Sequence, residues 1–238
     1  MTFADIHIHA LFGVDDGPDS TEKMTEIIDR AYLDGTRFIC LTPHYTPDCF
    51  GENSSSVQVA FEKLKKYSEE KYPDLKLFPG NELRYDPSAV NWIKEGLCRT
   101  LNSTRYVLVD FSADESLGTI SQALTVLLNA GYIPILAHAE RYSKLKKLSL
   151  ISDFKNKGVL IQIDTGSLFG EWGTGSKIRS RKLVSAGLAD IAASDAHNIS
   201  SRPPEISKGY EYIKKHTNKE YADRLCLYNP LKILGIDA

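Results

Sequence analysis

Two histidines, His7 and His9, stand two residues apart in the stretch Asp5–Gly17, DIHIHALFGVDDG, which also holds Asp15 and Asp16. On a β-strand, side chains two residues apart share a face, so both imidazoles point the same way. Held neutral, such a pair forms half of a divalent-metal site. Further along, His44 follows the apolar run FICLTP, Glu82 sits in GNEL and Asp110 ends YVLVD. His138 follows IPILA, with Glu140 and Arg141 just behind it, and Asp195 and His197 follow DIAAS. Five of the six histidines therefore stand where apolar runs end, together with carboxylates. Burying these groups without a cation would cost several kcal/mol each. Asp15 or Asp16 could each supply a loop carboxylate; the bland alternative for Asp15 is a turn residue before Gly17. The remaining histidine, His216, lies in a Lys-rich segment and reads as solvated. A mixed imidazole and carboxylate set suits Mn, Fe or Zn, and donor type does not choose among them.

The elements that must position these groups alternate in kind. Short β-rich runs occur at Phe3–Ile8, Arg37–Leu41, Leu75–Phe78, Tyr106–Phe111, Ile133–Ala137, Val159–Ile163 and Ile191–Ala193. Between most of them lie helically spaced apolar residues: Thr21–Leu33, Ser56–Tyr72, Ile120–Ala130, Leu145–Asn156 and Ile178–Ala186. Gly35, Gly131, Gly158 and Gly187 mark helix ends. This is a βα repeat with about seven strands, compatible with an open doubly wound sheet or a closed barrel. In both, the C-terminal strand ends carry the chemistry, which is where the histidines and carboxylates fall. Thr46–Ser56 and Gly166–Ser176 read as rim loops, with Tyr45, Phe50, Phe169 and Trp172 either contacting substrate or covering the barrel top. Ser207–Ile236 reads as terminal helices.

Composition narrows the field. With 238 residues, 42% hydrophobic and a net charge of -2, the chain can bury a sizeable core as one barrel-sized domain or two small ones. A pI near 6.3 offers no basic field for nucleic acid or an anionic membrane. No apolar run approaches the roughly 20 residues that span a bilayer, and Asp5 and His7 interrupt any apolar leader, so a cytoplasmic location is expected. The cysteines Cys40, Cys49, Cys98 and Cys226 form no CxxC pair and read as reduced thiols. Cysteine-based phosphate chemistry needs an arginine six residues after the nucleophile. Those offsets hold Thr46, Ser55, Thr104 and Lys232, which excludes it.

The motifs DIHIHALFGVDDGPDS, TPHY at Thr42–Tyr45, GNEL at Gly80–Leu83, AHAERY at Ala137–Tyr142, SDAH at Ser194–His197 and the closing NPLKIL resemble the PHP (polymerase and histidinol phosphatase) superfamily. Within it the chain resembles the CpsB/YwqE type, bacterial manganese-dependent protein-tyrosine phosphatases. The motifs run in order over residues 3 to 202. The resemblance implies an α/β fold, a distorted (β/α)7, TIM-like barrel, as one domain over residues 1–238. It also implies a centre of two or three divalent ions, manganese foremost, with Fe or Zn as alternatives. Carried over, His7, His9, Glu82 and Asp195 would hold one metal. Glu82, Asp110 and His138 would hold the second, and Asp16, His44 and His197 the third. Arg141 and Arg202 resemble the phosphate clamps, forked donors that match phosphate geometry. The implied substrate is a phosphotyrosine protein, the tail of a bacterial tyrosine kinase controlling capsule or exopolysaccharide synthesis.

Two departures stand out. The family pattern usually has glutamate at Asp110; aspartate reaches roughly 1.3–1.5 Å less far, which would weaken or empty the second site. Ala139 replaces the usual proline of HPERY, with little expected effect. Two other functions use or keep the same parts. One is a small-molecule phosphoesterase such as a histidinol-phosphate phosphatase; the other is a scaffold that lost turnover through Asp110. A nuclease role is disfavoured by the absent basic track.

Overall fold

A computed structural model describes residues 1–47, 49 and 54–237. The chain folds as strands β1 (Phe3–Ile8), β2 (Thr36–Leu41), β3 (His44–Tyr45), β4 (Lys76–Pro79), β5 (Glu82–Arg84), β6 (Tyr106–Asp110), β7 (Ile133–Leu136), β8 (Leu160–Asp164) and β9 (Ile191–Ala193). The helices between them are α1 (Thr21–Asp34), α2 (Ser54–Lys71), α3 (Ala89–Lys94), α4 (Leu117–Asn129), α5 (Leu148–Asn156) and α6 (Gly173–Ser185). Two more, α7 (Ile206–His216) and α8 (Lys219–Asp223), lead through a π turn over Arg224–Tyr228 into α9 (Asn229–Ile233).

Among the described residues every strand pairing is parallel. One set runs β1-β2-β4 and the other β3-β5-β6-β7-β8-β9. The short strands are continuations: β3 follows β2 past Pro43, and β5 follows β4 past Gly80-Asn81. The ladder carries across both breaks, because Gly80 N donates to Leu41 O (3.0 Å) and Glu82 N to Pro43 O (3.1 Å). The ring closes between its first and last members. Asp195 N donates to His7 O and His9 N to Ala196 O, each at 2.8 Å. Seven staves thus form a distorted (β/α)7 barrel. The seven expected strands all form; β3, β5 and α3 are additions. Proline and glycine interrupt strand hydrogen bonding, which is why two staves come in two pieces and why Glu82 lies on a strand rather than after one.

Local sequence explains the helices. In α1, Ser20 accepts from Lys23 N, Met24, Ile27, Ile28 and Ala31 are buried, and Gly35 ends the helix at φ 106. Each of the large apolar side chains contributes about 1.5–3 kcal/mol on burial, so the helix is fixed to the barrel by that face. The helix α6 starts five residues before the expected Ile178, so the expected loop Gly166–Ser176 is instead a 3-10 turn at Gly166–Leu168 followed by the first turn of α6. The C-terminal helices close the end of the barrel opposite the histidines. Asn229 Nδ2 donates to Asp190 O, Tyr221 OH to Ala189 O, and Asn102 Nδ2 to Leu234 O; Ala189, Asp190 and Asn102 all precede strands. Among the described residues no helix is long and apolar enough to cross a membrane.

Candidate metal centre

The C-terminal ends of the strands bring the expected residues to one mouth. His7 and Glu82 are carried by β1 and β5, His44 by β3 and Asp110 by β6. His9, His138, Asp195 and His197 follow the ends of their strands, and Asp16 comes from the loop after β1. His138 and Asp195 have positive φ (32° and 52°). Non-glycine residues held there carry of order 1–3 kcal/mol of strain, and both turn sharply into the mouth.

The donors converge closely. His7 Nε2 lies 3.2 Å from Asp195 Oδ1, 3.3 Å from Glu82 Oε2 and 3.2 Å from His9 Nε2. His44 Nδ1 and His138 Nε2 each lie 2.9 Å from a Glu82 oxygen. Asp16 Oδ1 lies 3.1 Å from His197 Nε2 and 3.4 Å from His44 Nε2. Among the described residues, three groups of donors come within 4.8 Å of one another: His9, Asp16, His44 and His197; His7, His9 and Asp195; and His7, Glu82 and His138.

The outer ring nitrogens are taken. His9 Nδ1 donates to Asp15 Oδ2 at 2.7 Å, and His197 Nδ1 lies 3.0 Å from its acceptor, the carbonyl of Asp195. Their Nε2 atoms therefore face inward. There, Glu82 Oε2, Asp195 Oδ1 and His197 Nε2 are buried without a hydrogen-bond partner. Carboxylate oxygens and imidazole nitrogens crowd one another at about 3.2 Å, an arrangement that needs positive charge at its centre, from a divalent cation or from protons.

Electrostatics points the same way. Burial opposes ionisation of Glu82 and Asp195. Yet His7 and His44 around Glu82, and His7 and Arg141 around Asp195, hold both carboxyls well below their usual range. Burial likewise opposes the charged form of His9, and Asp15 overrides it, raising that imidazole well above normal. His44 is similarly raised to about 9, chiefly by Glu82 against burial. Burial and the neighbouring His9 push His197 down to about 4. Positive charge is demanded at the centre, and without a metal it is supplied by protons.

One wall of the mouth is cationic. Arg141 Nη2 contacts Asp164 Oδ2 and Asp195 Oδ2, and Arg202 Nη2 lies 2.7 Å from the same Asp195 oxygen. Trp172 covers both guanidinium groups, with ring-centre distances of 3.5 Å to Arg141 and 4.8 Å to Arg202. Asp195 thus turns one oxygen to the histidines and the other to the arginines. The cavity above has a volume of about 550 Å³ and is walled by these residues, with Arg84, Ser112 and Tyr142 opposite.

The family described as capsular polysaccharide synthesis, CpsB/CapC, matches residues 3–235. The chain belongs to the CpsB/CapC family. The tyrosine-protein phosphatase CpsB of Streptococcus agalactiae serotype III (strain NEM316) is 32% identical over 236 residues, covering 97% of each chain. The tyrosine-protein phosphatase YwqE of Bacillus subtilis (strain 168) is 31% identical over 217 residues, covering 91% of this chain and 85% of its own. A crystal structure from the pair YwqE of Bacillus subtilis and CpsB of Streptococcus pneumoniae, described as metal-dependent tyrosine phosphatases, superposes with a TM-score of 0.89. It is 30% identical, with coverage of 100% of this chain and 96% of that one.

Within this CpsB/CapC chain, the surroundings of three residues bear on the expected ligand set. Asp110 stands outside the three close donor groups, and His7 joins Glu82 and His138 instead. Its Oδ1 accepts from Phe111 N (2.6 Å) and Tyr142 OH (3.1 Å), its Oδ2 lies 3.2 Å from Arg84 Nε, and Oδ1 remains 3.5 Å from His138 Nε2. Burial and the nearby Glu82 raise its pKa. His9 lies in the group with Asp16, His44 and His197 as well as in the group with His7 and Asp195. Asp15 is no simple turn residue: its buried carboxylate holds His9, Gly17 N (3.0 Å) and His44 N (3.1 Å). Gly17 itself is required, because a Cβ there would stand 2.5 Å from His9 O.

Among the rim aromatics, Tyr45 is buried against Trp92 and Phe169 packs on Tyr212. Trp172 lines the cavity, and Phe50 lies outside the described residues. His216 is exposed against Tyr212, away from the site. Sequence reading did not single out Gln162 and Asp164. Their signal was the same two-residue spacing as His7 and His9, on the otherwise apolar strand LIQID.

Proposed function

We propose that this chain is a metal-dependent phosphotyrosine-protein phosphatase acting as one domain over residues 1–238. His7, His9, Asp16, His44, Glu82, His138, Asp195 and His197 are the proposed ligands of two or three divalent ions, with Asp110 at the margin. Manganese is the proposed metal, and the cytoplasm the proposed location. The observation that carries the reading is the cluster of buried lone pairs facing one another beside two guanidinium groups. When bound, such ions lower the pKa of a coordinated water towards neutrality and supply hydroxide.

This chain's own residues do the rest. Arg141 and Arg202, spread side by side under Trp172, present forked donors to a phosphate and follow the charge that develops on its oxygens. Asp195, Asp164 and the Trp172 ring fix those forks before substrate arrives, so little reorganisation is left for the reaction. The outer carboxylate Asp15 holds His9 with its lone pair inward. A phenolate leaving group has a pKa near 10 and departs with little help from an acid, which matches a wall that offers guanidinium groups rather than a proton donor. The names of the relatives support a capsule-synthesis setting, with the tyrosine-containing tail of a bacterial kinase as the proposed substrate.

The test is turnover of a phosphotyrosyl peptide and of histidinol phosphate with Mn²⁺, with other divalent ions and with chelator. Mn²⁺-dependent turnover favouring the peptide is expected. Chelator-insensitive turnover, or none with any metal, contradicts the reading, and a strong preference for histidinol phosphate replaces the substrate.

A further inference from the structure

Gln162 lies at the centre of β8, fully buried beneath the mouth, and its neighbours permit its amide only one orientation. One amide atom stands 2.8 Å from the backbone N–H of His138, which can only donate. The other stands 2.8 Å from Asp164 Oδ1, which accepts. The first is therefore the oxygen and the second the NH2. That same oxygen lies 3.1 Å from His7 Nδ1. An amide oxygen has no proton to give, so the hydrogen of this contact belongs to His7 Nδ1. In the neutral form that a metal ligand requires, the lone pair is then on His7 Nε2, which faces Asp195 Oδ1 and Glu82 Oε2.

The amide's other end reaches the cationic wall. Asp164, fully buried, turns its second oxygen to Arg141, and Arg141 reaches Asp195. His7, Gln162, Asp164, Arg141 and Asp195 thus form a chain whose two ends, His7 Nε2 and Asp195 Oδ1, face each other 3.2 Å apart as candidate metal donors. Each link from His7 Nδ1 to Asp195 Oδ2 has a defined donor and acceptor, and the chain joins a proposed metal ligand to a proposed phosphate clamp.

We infer that Gln162 is a positioning residue: it holds His7 as the Nδ1–H tautomer with Nε2 free for a metal, and through Asp164 it sets the register of Arg141 against that metal. The inference rests on the metal-dependent reading above. It assigns the two ends of one side chain to two separable effects, metal affinity at its oxygen and phosphate affinity at its NH2.

The experiment compares Gln162→Met, which keeps length and loses all three polar contacts, with Asp164→Asn, which keeps an acceptor for Gln162 but sets an NH2 against Arg141. Mn²⁺ affinity, read by competition with a chromophoric chelator, should fall about 10–100-fold in Gln162→Met and stay close to the parent in Asp164→Asn. Inhibition by inorganic phosphate should weaken in both. In parallel, the unaltered protein loaded with Zn²⁺ and labelled with ¹⁵N-histidine should show His7 protonated at Nδ1 and metal-bound at Nε2, a readout that does not depend on either variant folding. Parent-like Mn²⁺ affinity in Gln162→Met, equal loss of Mn²⁺ affinity in Asp164→Asn, or a His7 protonated at Nε2 overturns the inference. A parent that binds no divalent ion overturns the metal reading and this inference with it; a parent that binds Mn²⁺ beside an unaffected Gln162→Met overturns this inference alone.

Discussion

Asp15→Asn is a one-atom change whose effect follows from counting donors. Oδ2 of Asp15 takes His9 Nδ1 at 2.7 Å and His44 N at 3.1 Å, and Oδ1 takes Gly17 N at 3.0 Å. Asparagine presents one oxygen. Turned its best way, it keeps the first two contacts as neutral ones and sets an NH2 against Gly17 N–H. One charge-assisted bond is lost and two are reduced, for a net loss of about 2–4 kcal/mol. In a chain of this length that lowers Tm by roughly 4–16 °C. Burial works against the Asp15 carboxylate, but His9 and His44 hold its pKa below the ordinary value. Its contribution is therefore present above the unfolded carboxyl pKa and lost as pH falls through the folded one, so the variant should also show a flatter acid limb. His9 loses its anionic partner, and Mn²⁺ affinity should drop about 10–100-fold. Thermal melts of chelator-treated protein from acid to neutral pH, with Mn²⁺ titrations beside them, measure all three. A variant that matches the parent in midpoint, acid limb and Mn²⁺ affinity refutes the account of Asp15.

Three further outcomes follow from the same geometry. Arg141→Lys removes the planar fork that contacts Asp164 and Asp195 and stacks on Trp172, so kcat/KM on a phosphotyrosyl peptide should fall about 10²–10³-fold; parent-like kinetics would contradict the clamp. Against the effect of burial, Glu82 raises His44 to about 9, so the metal-free imidazole is protonated at neutral pH and must lose its proton to become a ligand. Mn²⁺ binding should therefore release protons and strengthen as pH rises, and calorimetry in two buffers of different ionisation heat should differ; identical heats would count against it. Asp110→Glu extends the carboxylate by one methylene towards Glu82 and His138, and should tighten the weakest Mn²⁺ in a competition titration. No change would mean that the Arg84, Phe111 and Tyr142 contacts, not reach, decide that position.

The strand ends were legible because a parallel barrel states its chemistry in a regular place. His7 and His9 share a face by the two-residue repeat, and each later donor follows an apolar run. The βα order did not separate a barrel from an open sheet by itself; that distinction lives in the bonds from Asp195 to His7 and from His9 to Ala196, between residues nearly the whole chain apart. The breaks at Pro43 and Gly80 were visible as residues but not as continuations, since pairing across a break depends on the neighbouring stave. Asp15 and Asp16 are adjacent and chemically alike; only the fold turns one under His9 and the other over the cavity. Asp110 looked like a ligand made short. Its side chain is also engaged by Arg84, Tyr142 and its own neighbour's N–H, contacts that no spacing rule contains. Gln162 and Asp164 escaped attention because an amide and one acid on an apolar strand resemble ordinary buried polar residues until their partners are seen.

Anomalous diffraction from crystals grown with Mn²⁺, recorded on both sides of the Mn absorption edge, addresses the centre itself. The account predicts two or three peaks within about 2.0–2.3 Å of donor atoms drawn from His7, His9, Asp16, His44, Glu82, His138, Asp195 and His197, beside Arg141 and Arg202. An edge-dependent map with no peak among those side chains, in crystals of protein that turns over phosphotyrosine, would contradict it.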